Sequence, residues 1–137
     1  MDVYELIKRH EGLRLKPYPD SLGHLTIGYG RALNIAGISK DEAEAMLRND
    51  VASVETRLRG LPWFQNLDEV RRAALIDMAF NLGWGKLLGF TRFLSAIGHG
   101  DFETAAREML ASEWADQVGV RARELARMVL AGVWPSP

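Results

Sequence analysis

Residues 11–31, EGLRLKPYPDSLGHLTIGYGR, decide how the chain is read. Two acids, Glu11 and Asp20, and one threonine, Thr26, fall here among glycines, prolines and short alternating runs. From Leu13 to about Leu33 there is no helical period: Pro17 and Pro19 bracket Tyr18, while Gly23, Gly28 and Gly30 punctuate His24-Leu25-Thr26-Ile27 and the residues after it. The pattern predicts two or three short antiparallel strands joined by tight turns. So small a sheet is not stable alone and must lean on helices, as a minor lobe of about residues 13–38. Backbone outside a regular helix is also where polar groups can face a cleft, so chemistry is sought here first.

The flanking segments read as helix. Asp2 and Glu5 make a capping box, Val3, Leu6 and Ile7 mark one helical face, and Gly12 ends the helix with Glu11 on its last turn. Ser39-Lys40-Asp41-Glu42 makes a stronger box. Ala43, Met46, Leu47, Val51, Val54 and Leu58 then run at three-and-four spacing, which predicts one long helix over 39–59, stopped by Gly60 and Pro62. Asp68 or Asn66 can cap the next helix, apolar almost all round towards Leu82 and so expected at the centre of a major lobe; Gly83 ends it. Thr91 and Asp101 are read as caps of two shorter helices, and a last helix runs from about Val120 to Gly132. Trp134 is expected to tuck back from the terminal tail. The fold class predicted is α+β, mostly helical: one domain over 1–137, with the 39–59 helix joining the small lobe to a helical lobe of residues 1–12 and 60–137.

The 137 residues suit one core that needs no disulfide or metal. With 17 basic and 18 acidic side chains the net charge is −1, which gives no basic excess for holding nucleic acid. There is no cysteine, hence no thiolate metal site and no cysteine nucleophile. His10, His24 and His99 show no ligand spacing, so neither metal nor cofactor is expected. No signal-peptide run and no membrane-spanning stretch is read from the sequence.

Glycoside hydrolysis needs a carboxylic acid to protonate the leaving oxygen and, usually, a carboxylate to activate water or attack across the sugar. Glu11, ending a helix, and Asp20, in a turn bounded by proline and glycine, can be those groups. Thr26 offers a hydroxyl able to accept from a water and to donate to Asp20. Pair chemistry alone leaves open that Glu11 is a solvated helix end, Asp20 a turn residue and Thr26 an ordinary strand residue.

Glu11-Gly12, eight residues between Glu11 and Asp20, five between Asp20 and Thr26, and Thr26-Ile27-Gly28-Tyr29-Gly30 resemble the catalytic signature of the phage-type lysozymes, glycoside hydrolase family 24. Ser39–Glu44 resembles the start of that family's inter-lobe helix, Val70–Ala74 its central helix, Gly89-Phe90-Thr91 a later cap, and Trp114 through Arg123 a last cleft segment.

The resemblance implies a two-lobed lysozyme fold and an inverting muramidase acting on the β-1,4 bond between N-acetylmuramic acid and N-acetylglucosamine in peptidoglycan. Glu11 would be the general acid, Asp20 the carboxylate that activates water or steadies positive charge, and Thr26 the water holder; Thr26→Glu would place a third carboxylate near the anomeric carbon. Phe80, Asn81 and Arg121 would bind substrate in the space between the lobes, Arg121 approaching Glu11. The partners implied are peptidoglycan polysaccharide and a separate pore-forming protein that releases the enzyme from the host cytoplasm to the wall. No nucleic acid and no membrane insertion are implied, and the chain is expected to be a monomer.

Several positions depart from the family pattern. Arg31 stands where some relatives have histidine and is expected to pair with Asp50. Phe93 and Glu108 replace polar positions that touch sugar in some members. Two other readings share much of this pattern: a catalytically silent wall-binding module, and a hydrolase of plain N-acetylglucosamine polymers.

Overall fold

A computed structural model describes all of residues 1–137. The chain forms two compact units, Met1–Met46 and Leu47–Pro137.

In the first unit, α1 (Val3–Glu11) begins at the expected box: Asp2 accepts from the Glu5 N–H at 2.8 Å and Glu5 accepts from the Asp2 N–H at 3.0 Å. Gly12 ends it at φ +72°, donating to the Lys8 carbonyl at 2.9 Å. The chain turns directly into β1 (Arg14–Pro19), which pairs antiparallel with β2 (Leu25–Gly28); β3 (Arg31–Ala32) pairs with the other edge of β2. β2 is therefore central. The register sets Thr26 opposite Tyr18 on one side and Ala32 on the other.

Helix α1 belongs to this unit. The Lys8 ammonium stands 5.4 Å from the centroid of the Tyr29 ring, and the Glu11 side chain lies against Gly30, so both ends of the last turn touch the segment around β3. One further turn, α2 (Leu33–Ala36), follows β3 and was not expected from the sequence. Four residues are too few to show a period.

Helix α3 (Lys40–Leu58) runs 19 residues, close to the expected 39–59. Its box is present, Ser39 Oγ accepting from the Glu42 N–H at 3.1 Å and Glu42 Oε1 from the Ser39 N–H at 2.8 Å. Arg31 pairs with Glu42, correcting the expected partner Asp50. Asp50 lies eight residues on, about 12 Å further along the helix axis at 1.5 Å per residue. Glu42, in the first turn, is the acid within reach of β3.

In the second unit, a 3₁₀ turn (Phe64–Asn66) leads to α4 (Glu69–Leu82), whose cap is Asp68: its carboxylate accepts from the Arg71 N–H at 3.1 Å. Ala74, Leu75, Met78 and Ala79 of α4 are buried. The core is completed by α6 (Thr91–Gly98), α7 (Phe102–Leu110) and α9 (Val120–Ala131), which contribute Phe93, Ile97, Met109 and Val129, each at most 1% exposed. Arg71 ties α4 to the carbonyl end of α9, with Nε donating to Val129 O at 2.6 Å and Nη2 to Leu130 O at 2.9 Å.

Two local expectations change. Thr91 does not cap α6 but is its first residue, after Phe90, which offers no capping side chain; Asp101 does cap α7. Trp84 opens a five-residue helix, α5 (Trp84–Leu88), and Ser112 caps a separate α8 (Glu113–Val118). Trp134 does not tuck in: it is 56% exposed.

Candidate active site

The three residues singled out in the opening stretch lie in the first unit, and the turn between β1 and β2 is built around one of them. Asp20 Oδ1 accepts from the backbone N–H of Leu22 at 2.9 Å and of His24 at 2.8 Å. The Asp20 N–H donates to the His24 carbonyl at 2.8 Å, and Gly23 N–H donates to the Asp20 carbonyl at 3.0 Å. An aspartate at the head of such a turn supplies side-chain acceptors for N–H groups the ladder cannot satisfy. The bond from the His24 N–H is the largest cause holding the Asp20 carboxyl below its ordinary value of 3.8. Oδ2 receives no backbone bond, and His24 Nδ1 lies 3.6 Å from it.

Thr26 is 3% exposed and is the one buried polar residue of the chain. Its hydroxyl donates to the His24 carbonyl at 2.9 Å, a different use of the proton from the expected donation to Asp20. With the O–H committed to backbone, the hydroxyl oxygen has only lone pairs to offer a further partner. The His24 carbonyl accepts from both the Asp20 N–H and the Thr26 hydroxyl, so residue 24 joins these two site residues. Sequence reasoning passed over His24 as a histidine without ligand spacing. The usable signal was its place four residues after the turn aspartate and two before the threonine.

Glu11 is exposed at the end of α1. Gly30, at φ +83°, makes room for it: a Cβ at residue 30 would fall 2.5 Å from Glu11 Oε2. The second glycine of Gly28-Tyr29-Gly30 thus has a steric reason beyond its turn geometry.

In the second unit, Phe80 and Asn81 occupy the last turn of α4. Phe80 is 42% exposed rather than core, and exposed Asn81 accepts through Oδ1 from Trp114 Nε1 at 2.7 Å. Trp114 is 5% exposed and meets Phe90 edge to face, as a core anchor does. Arg121, in the first turn of α9, donates through Nε to Asp77 at 2.8 Å. Asp77 was not singled out from the sequence.

A mostly helical chain with one small three-stranded antiparallel sheet is the α+β pattern of a lysozyme-type glycoside hydrolase. The chain belongs to the phage lysozyme family, whose model matches residues 8–128. It is 38% identical over 111 residues to an endolysin of Acyrthosiphon pisum secondary endosymbiont phage 1, covering 77% of this chain and 73% of that protein. It is 25% identical over 160 residues to "Probable T4-type lysozyme 1" of Dictyostelium discoideum, covering 95% and 94%. It is also 29% identical over 161 residues to the pre-baseplate central spike protein Gp5 of Enterobacteria phage T4; 96% of this chain is covered, and it spans only 28% of that protein.

Proposed function

We propose that the chain is an endolysin muramidase that hydrolyses the β-1,4 bond between N-acetylmuramic acid and N-acetylglucosamine in bacterial peptidoglycan, with Glu11, Asp20 and Thr26 as its catalytic residues. The observation that carries the reading is the shared anchoring of Asp20 and Thr26 on the His24 carbonyl, which leaves one Asp20 oxygen and the Thr26 lone pairs without backbone bonds.

In this mechanism Glu11 gives its proton to the glycosidic oxygen as the bond to the anomeric carbon breaks. A water hydrogen-bonded to Thr26 attacks that carbon from the opposite face and passes a proton to Asp20 Oδ2. One C–O bond breaks, one forms, and the net change is addition of water. Asp20 returns its proton to solvent and Glu11 is reprotonated. Attack from the far face inverts the anomeric centre, so the first product is the α anomer. The depressed Asp20 pKa supports its part, since a base must be ionised.

Phe80, Asn81 and Arg121 are the proposed glycan-binding residues. An exposed ring suits the apolar face of a sugar, and the Asn81 amide N–H₂, free while Oδ1 serves Trp114, suits an acetamido oxygen. The same reading takes residues 1–137 as one working lysozyme domain, monomeric. It is made in the host cytoplasm and reaches the wall through an opening made by a separate protein. No helix is long and apolar enough to cross a membrane.

Purified walls mixed with the protein test this reading. Clearing of turbidity with disaccharide products carrying N-acetylmuramic acid at the reducing end is expected, and the fresh product should be the α anomer by proton NMR. Binding to walls without clearing would replace the enzyme with a silent binding module. Cleavage restricted to N-acetylglucosamine polymers would replace the substrate, and a β product would overturn the inverting step.

A further inference from the structure

We propose that the His24 imidazole is a positioning residue for Asp20, holding the free carboxylate oxygen in place and in its ionised form. The inference deepens the function proposed above and rests on that reading for its catalytic consequence.

The two oxygens of Asp20 are in different situations. Oδ1 is occupied by the N–H groups of Leu22 and His24. Oδ2 is the oxygen left to take a proton from water, and the titratable side chain paired with it is His24, whose Nδ1 lies 3.6 Å away. That distance is too long for a direct hydrogen bond and short enough for a strong charge interaction. Both side chains are about one third exposed, at 38% and 33%, so solvent screens the interaction only in part.

Asp20 makes no other ion pair. The influences on Asp20 are the backbone N–H groups of the turn, burial, and the charge of His24 alone. The remaining cations on neighbouring elements with assigned partners point elsewhere: Arg14 lies over the Tyr18 ring, Lys8 over Tyr29, and Arg31 pairs with Glu42.

The backbone and the side chain of residue 24 have separable tasks. The His24 N–H and carbonyl hold Asp20 and Thr26, and any residue at position 24 keeps those groups. Only the imidazole adds charge. An imidazole carries its proton in the acidic range where carboxylates titrate, so its charge favours the Asp20 carboxylate there. Removing it raises the pH at which Asp20 takes up a proton, and the acidic limb of wall lysis moves up with it.

The test uses the full chain with ¹³C-labelled aspartate, as wild type, His24→Asn and His24→Lys. In wild type the Asp20 carboxyl carbon should show its own titration and a second, smaller inflection that follows the His24 ring signals. In His24→Asn the second inflection should vanish and Asp20 should titrate at higher pH. Wall clearing on the acidic limb should fall about two- to fivefold, the range an exposed charge pair supports. His24→Lys, which restores a cation, should move both readouts back towards wild type; a merely structural role for the ring would not give that rescue. An Asp20 titration that is the same in all three proteins overturns the inference, as does a wild-type Asp20 carbon without the second inflection, a readout that needs no variant to fold. A His24-dependent Asp20 titration in a protein that clears no walls would instead uphold the pairing and defeat the proposed function.

Discussion

The Glu11 carboxylate lies against Gly30, so that a Cβ added at residue 30 would stand 2.5 Å from Oε2 and 2.8 Å from Cδ. Residue 30 also sits at φ +83°, a conformation that disfavours any side chain. Gly30→Ala is therefore expected to act twice. It should lower stability by about 1–2 kcal/mol, the usual cost of placing a Cβ in the left-handed region, and displace the Glu11 head group. Urea unfolding reads the first effect, and a wall-clearing rate reduced by more than about tenfold reads the second. A variant that is destabilised but clears walls at the wild-type rate would show that the Glu11 position does not depend on Gly30.

Thr26→Val keeps the shape of a buried side chain and removes one hydroxyl. The His24 carbonyl still accepts from the Asp20 N–H at 2.8 Å, so the stability loss should be only about 1 kcal/mol. Activity should fall much further, by about 10²-fold, if the hydroxyl holds the attacking water. Thr26→Ser should recover most of it. Equal activity in the valine and serine variants would remove Thr26 from the mechanism.

Asn81 separates a structural from a binding role. Asn81→Ala leaves the Trp114 Nε1–H without its acceptor in a residue only 5% exposed, which should cost about 1–3 kcal/mol in thermal unfolding. Asn81→Asp keeps the acceptor and loses the amide donor. It should stay close to wild-type stability while raising the KM for a soluble glycan fragment. An unchanged KM would count against Asn81 as a glycan ligand.

Much of this architecture was legible because it rests on short-range rules. The Asp2/Glu5 and Ser39/Glu42 boxes, the Asp68 and Asp101 caps and the glycine ends at 12, 83 and 132 all follow from satisfying terminal N–H and carbonyl groups. The turn glycines likewise announced the sheet. What stayed hidden depends on distance in space. The sequence offered Arg31 several acids on one helix, and only the placement of β3 selects Glu42. The Arg121–Asp77 pair spans 44 residues, and the short helices α2, α5 and α8 hold too few turns to show a period. The role of His24 was invisible for another reason: its carbonyl and N–H do much of the work, and sequence names only side chains.

The Arg31–Glu42 pair predicts a pH dependence of stability. Arg31 first, then the Ser39 N–H, lower the Glu42 pKa from 4.5 to about 2. A folded pKa below the unfolded value means a contribution fully present above about 4.5 and lost as pH falls towards about 2. The urea midpoint should thus drop between those values in wild type, and the drop should be smaller in Arg31→Met. Identical acid profiles for the two proteins would show that the pair does not couple to folding.

Glu11→Gln carries the most direct test, because the amide keeps the size and the place of the carboxyl and cannot give a proton to the leaving oxygen. Wall turbidity followed with matched amounts of folded wild type and Glu11→Gln should show clearing by the first and a loss of about 10²- to 10⁴-fold in the second, with wall binding retained. Clearing by Glu11→Gln at the wild-type rate would contradict the assignment of Glu11 as the acid on which the whole site is built.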